Sequence, residues 1–150
     1  MTRHNLLRVA FLATAVSLAG CGSMSPMGKE RMDETSFGAT LSASAEVPAN
    51  TSTGGGSMTA TLNNETKLLT WRVTYNGLSG PVAAGHFHGP AMAGVNAGVV
   101  VPFASTASPI EGSATLTAAQ IADLRAGLWY VNLHTAANKG GEIRGQVLVK

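Results

Sequence analysis

The chain has 150 residues, of which 45% are hydrophobic, 12% charged and 5% aromatic. That length suits one domain, the apolar share excludes wholesale disorder, and the sparse charge disfavours long solvated helices in favour of a small β-rich exported domain. The formal charge of +2 falls to zero if Arg3 and Arg8 are removed with a processed N-terminal segment, so no basic patch points to nucleic acid.

The N-terminus predicts such a segment. A short basic start through Arg8 is followed by an apolar run from Val9 to Leu18. About ten residues are too few to cross a hydrocarbon core of roughly 30 Å as a helix, but they match a secretory signal peptide. The run ends Leu18-Ala19-Gly20-Cys21, which resembles the bacterial lipoprotein lipobox. That resemblance implies cleavage before Cys21 and a thioether-linked diacylglycerol on it. Cys21 is the single cysteine of the chain, so lipid attachment also explains an exported thiol without a disulfide partner. Residues 1–20 are thus read as signal peptide and 21–36 as lipidated cysteine plus flexible tether, leaving 37–150 as the folded domain. The expected location is exported and lipid-anchored to a membrane. Gly22 is not the Asp that resembles an inner-membrane retention signal, which favours the outer membrane in a diderm host.

From Phe37 onward, apolar and polar residues alternate with the two-residue period of half-buried strands. Phe37–Ala43 opens the domain. Met58–Leu62 follows the Gly54-Gly55-Gly56 loop, and Asn63-Asn64-Glu65 predicts a hairpin turn. Leu68–Tyr75 places Leu69, Trp71, Val73 and Tyr75 on one face, and Asn76-Gly77 ends it with turn chemistry. Ala84–His88 is a short strand closed by Gly89-Pro90, and Ala91–Gly94 reads as a mobile loop. Gly98–Phe103 is apolar enough for the middle of a sheet, and Gly112–Leu116 alternates again. One helix is expected over Ala118–Ala126. Thr117 and Gln120 supply a capping box, and Gly127 stands where a C-terminal glycine belongs. Leu128–Thr135 puts Trp129, Val131 and Leu133 on one face and Tyr130, Asn132 and His134 on the other. Glu142–Val149 closes the chain. Short strands with frequent turns and one helix predict an antiparallel sandwich or Greek-key barrel.

The chemistry-bearing residues are few. His86 and His88 alternate on one strand, so both imidazoles point to one face about 6.6 Å apart along it. His134 shares a face with Asn132 and Tyr130, while Glu142, Arg144 and Gln146 share another. A cross-strand cluster of His86, His88, His134, Glu142 and Arg144 follows from that alternation. Two readings stay open. The cluster is a structural polar network in which Glu142 and Arg144 tie strands together, since buried charges must be paired. Or His86, His88 and His134 hold one copper or zinc ion, to which imidazole is suited. No nucleophile elbow or phosphate-binding glycine loop occurs, so no catalytic residue is assigned. Trp71 and Trp129 are expected in the core.

Five segments taken in order, Glu46-Val47-Pro48, Gly77–Gly80, His86–Ala91, Gly127–Thr135 and Gly141–Gln146, resemble the CHRD domain, named for chordin and common in bacterial exported proteins. The chain departs in lacking a second proline in the loop Asn50–Gly56. The resemblance implies an extracytoplasmic β domain and no particular molecular activity; with the lipobox, the expected function is a non-enzymatic binding or structural module of the cell envelope. Its partners would be the membrane, through the lipid, and an unidentified protein or envelope ligand. A more distant likeness is to copper-zinc superoxide dismutase, matched at His86, His88, His134 and Arg144. It implies an all-β antiparallel Greek-key sandwich of that type, to which the residues read above add one short helix. Dismutase activity is disfavoured by counting. Once His4 leaves with the signal, three histidines remain, fewer than that family's two metals use, and no disulfide can form.

Overall fold

The computed structural model describes residues 33–150; the expected signal peptide, Cys21 and nearly all of the tether lie outside the described residues. The element order is β1 (Glu34–Ser42), a 3-10 turn (Ala43–Ala45), β2 (Gly55–Asn63), β3 (Leu68–Asn76), β4 (Val82–His88), β5 (Val99–Pro102), β6 (Ile110–Thr115), α1 (Ala118–Arg125), β7 (Tyr130–Thr135), β8 (Ile143–Gln146) and β9 (Leu148–Val149). All pairings are antiparallel. The fold is therefore all-β with one short helix, as the alternation predicts. β1 starts three residues before the expected domain boundary at Phe37.

The strands lie in the order β5-β4-β7-β8-β1-β2-β3-β6, with β9 also on β1. The meander β1-β2-β3 forms one half of the sheet. The connections β3–β4, β5–β6 and β6–β7 cross between halves. The sheet curls until the halves face each other, so that Trp71 of β3 meets Phe87 of β4 edge-on with centroids 5.2 Å apart. Phe103 and Trp129 extend this aromatic centre. Both tryptophans are core residues, as expected. Burial of side chains of this size contributes roughly 1.5–3 kcal/mol each. Alternation is visible in β3, where Leu69, Trp71 and Val73 are buried between exposed neighbours.

Two expectations are corrected. Gly98–Phe103 is not mid-sheet: β5 is an edge strand, and Val99 is half-exposed. An apolar run alone does not separate central from edge strands. Glu142–Val149 is not continuous. Val147 is buried and donates to Trp129 O, which breaks the run into β8 and β9. The loop after β4 is tied down at its far end, because Val95 and Asn96 accept from Arg144. The helix keeps its predicted caps. Thr117 Oγ1 accepts from Gln120 N, Gln120 Oε1 accepts from Thr117 N, and Gly127 takes φ +71°.

Candidate functional site

The site forms on the outer face of β4-β7-β8, opposite the aromatic core. The register sets His86 against Asn132, Ala84 against His134 and His88 against Tyr130. His134 is therefore the diagonal neighbour of His86, within reach for long side chains. β8 continues the face by pairing Arg144 with Asn132. One nitrogen from each of His86, His88 and His134 lies within 4.8 Å of the other two. His86 Nδ1 and His134 Nε2 are 3.3 Å apart.

Backbone carbonyls set two of the rings. His88 Nδ1 lies 3.0 Å from Ala97 O, and His134 Nδ1 lies 2.9 Å from Lys139 O. A carbonyl only accepts, so His88 Nδ1 carries the proton and the neutral His88 ring keeps a lone pair at Nε2; His134 has an acceptor at each nitrogen, Lys139 O at Nδ1 and Asn132 Oδ1 3.0 Å from Nε2. This is the arrangement in which proteins orient metal-binding imidazoles. His88 Nε2 is buried and has no hydrogen-bond partner. Burial depresses the pKa of His86, and the neighbouring His134 and His88 lower it further. Burial likewise depresses His88, against the opposing pull of its bond to Ala97 and of the Asn132 side chain; His134 and Arg144 add to the depression. Both rings are held in the neutral form that coordinates metal.

Tyr130 is flanked by His88 and Arg144. The His88 ring stacks on it at 4.8 Å with an interplanar angle of 1°, and the Arg144 guanidinium carbon lies 3.3 Å from its centroid. Tyr130 Oη bonds to both N and O of Ala97, the same residue that holds His88. Arg144 is fully buried. It donates to Asn96 Oδ1 (2.9 Å) and Val95 O (2.6 Å). Asn96 Nδ2 donates in turn to Val47 O, which ties this loop to the Glu46-Val47-Pro48 segment.

The expected cluster is assembled in part. His86, His88, His134 and Arg144 share the face, but Glu142 does not, and no Glu142–Arg144 pair forms. Glu142 stands one residue before β8 and follows Gly141 at φ +133°. Strand alternation therefore fails to place it beside Arg144. Its carboxylate points to the loop end of the barrel, where it accepts from Ser52 Oγ (2.6 Å), Ser79 N (2.7 Å), Ser79 Oγ (2.5 Å) and Thr135 Oγ1 (2.5 Å). Burial raises its pKa, but these bonds outweigh burial and bring it down to about 2.

The carboxylate near Arg144 is Glu46, which the sequence reading left without a role. Glu46 is buried, its Oε1 has no partner, and its side chain lies so close to Gly141 Cα that a methyl group there would overlap it. Burial raises its pKa to about 7, against the pull of Arg144 and of hydrogen bonds from Val47 N and the Asn132 side chain. A carboxylate inside an otherwise uncharged strand-and-turn segment was the available signal. Asn132 was placed on the correct face but given no function.

The CHRD domain family model matches residues 37–147, which is nearly all of the described chain. Searches of curated proteins and of solved structures returned no significant match.

Proposed function

This chain belongs to the CHRD domain family, and we propose that it serves as a lipid-anchored, non-enzymatic module of the cell envelope. CHRD is not a known enzyme family, and its role at the molecular level is not settled, so the location must come from the chain itself. The apolar run ending Leu18-Ala19-Gly20-Cys21 carries the anchoring part. Several acyl chains at Cys21 would hold the module firmly, at about 0.8 kcal/mol per buried methylene. The test is fractionation of bacterial cells expressing the full chain and its Cys21→Ser variant. Loss of membrane retention and of the lipid mass in the variant is expected. Unchanged retention and mature mass would refute anchoring.

A second reading is favoured by one observation: the Nδ1 atoms of His88 and His134 face backbone carbonyls, and one nitrogen of each of His86, His88 and His134 lies within 4.8 Å of the other two. On this reading the module binds a single copper or zinc ion through His86, His88 and His134. Titration of the detergent-solubilised protein with Zn²⁺ and Cu²⁺ should give one equivalent bound. His134→Ala should abolish it with the fold intact, because the apolar core stands on the other side of the sheet. Absence of stoichiometric binding in the unaltered protein would leave the three histidines as a structural network.

A further inference from the structure

The histidine cluster has a fourth donor that its sequence pattern does not announce. Asn132 is buried on β7, two residues before His134. Its Oδ1 lies 3.0 Å from His134 Nε2. A neutral His134 has one N–H for two acceptors, Lys139 O at Nδ1 and Asn132 Oδ1 at Nε2, so one of the two contacts is left without a proton. Such a contact is repulsive unless a cation sits between the two atoms. The amide oxygen is the end turned toward His134.

Two of the separations are those of a coordination shell, and His88 stands within 4.8 Å of the other two histidine donors. Two donors bound tetrahedrally to one ion at about 2.0–2.1 Å lie roughly 3.3 Å apart. The His86 Nδ1–His134 Nε2 separation is 3.3 Å and the His134 Nε2–Asn132 Oδ1 separation is 3.0 Å. His88 Nε2, buried and unpartnered, supplies the remaining lone pair. Three imidazole nitrogens and one hard amide oxygen suit a divalent borderline ion. Cu⁺ favours soft sulfur donors and gains little from an amide oxygen.

We propose that Asn132 Oδ1 is the fourth ligand of this site, and that the resulting three-nitrogen, one-oxygen set selects Zn²⁺ or Cu²⁺ over Cu⁺. The inference rests on the metal-binding reading above. Its test is competition with a chromophoric chelator, using Zn²⁺ and, separately, Cu⁺ under reducing conditions. The proteins compared are the unaltered chain, Asn132→Leu, Asn132→Asp and His134→Ala. Asn132→Leu should weaken Zn²⁺ at least about tenfold, the scale on which groups supporting a metal site act, while changing Cu⁺ far less. Asn132→Asp should bind Zn²⁺ more tightly than the unaltered protein, because it adds a charge to the ligand oxygen. If Asn132 only braces Glu46, the same Asp would repel that carboxylate and Zn²⁺ binding would weaken, which overturns the proposal. Equal Zn²⁺ affinity in Asn132→Leu and the unaltered protein, with binding lost in His134→Ala, would also overturn it while sparing the three-histidine site. If the unaltered chain binds neither ion, the underlying reading falls and the fourth ligand with it. Should Asn132→Leu fail to fold, the Asp variant decides alone.

Discussion

Two carboxylates are buried on either side of Gly141, and they are treated in opposite ways. Glu142 receives four donors from three different segments and is held ionised far below the usual carboxylate range. Glu46 has an unpartnered oxygen and is pushed toward neutrality, although a guanidinium lies nearby. Around Glu142 every neighbour is a hydroxyl or amide aimed at the carboxylate. Around Glu46 the neighbours are Asn132 and Arg144, and beyond them the rings of His88 and His134. A buried network with all its members satisfied rigidifies a fold, whereas one left partly satisfied is costly. The contrast identifies the Glu142 cluster as the clasp of the loop end and the Glu46–histidine face as the place where buried polar atoms remain without partners.

The largest effect expected from this comparison is at the clasp. Glu142→Ala would strand the hydroxyls of Ser52, Ser79 and Thr135 and the amide of Ser79 in a buried space. Each unpaired buried group costs about 1–3 kcal/mol, so a loss of roughly 3–5 kcal/mol is expected in urea unfolding at pH 7. The pH dependence has a definite sign. A carboxyl depressed in the folded state adds stability above its unfolded pKa, near 4.5, and that stability is lost as pH falls toward 2. Midpoints measured from pH 5 to pH 2 should fall in the unaltered protein, and more gently in Glu142→Gln. Parallel curves would remove Glu142 from its role as clasp.

Much of this arrangement was legible in the sequence, and the failures have one physical source. Period-two alternation placed Leu69, Trp71 and Val73 inside, and it set Tyr130, Asn132 and His134 on the outer face of β7. The capping box and Gly127 bounded the helix because caps are chemistry between near neighbours. Convergence of His86, His88 and His134 required one further step, the pairing of β4 with β7. Alternation failed at Glu142, where the left-handed turn at Gly141 precedes the strand and redirects the side chain. Glu46 offered a local signal but no place in the site, because it reaches the site from a segment more than eighty residues away in sequence from Asn132. Arg144 was assigned a carboxylate partner and instead found Asn96, Val95 O and the face of Tyr130. Tertiary pairing of this kind leaves no periodic trace in a single chain.

The smaller expected effect is at Glu46, and it runs in the opposite direction. Desolvation raises its folded pKa to about 7. A raised carboxyl contributes its stability in the protonated form, so the contribution is complete below the unfolded pKa near 4.5. It is lost as pH rises through about 7. Glu46→Gln keeps the shape and a neutral amide, and so should remove this slope. The variant should match the unaltered protein near pH 4.5 and exceed it at pH 8, by about 1–2 kcal/mol after discounting for relaxation of the loop. Thermal or urea midpoints across that range measure it directly. If Glu46→Gln is instead less stable at pH 8, the carboxylate is ionised there and paired with Arg144. The Glu46 side would then be satisfied as the Glu142 side is, and the unmet polar capacity of this face would reduce to the lone pairs of the histidines and Asn132.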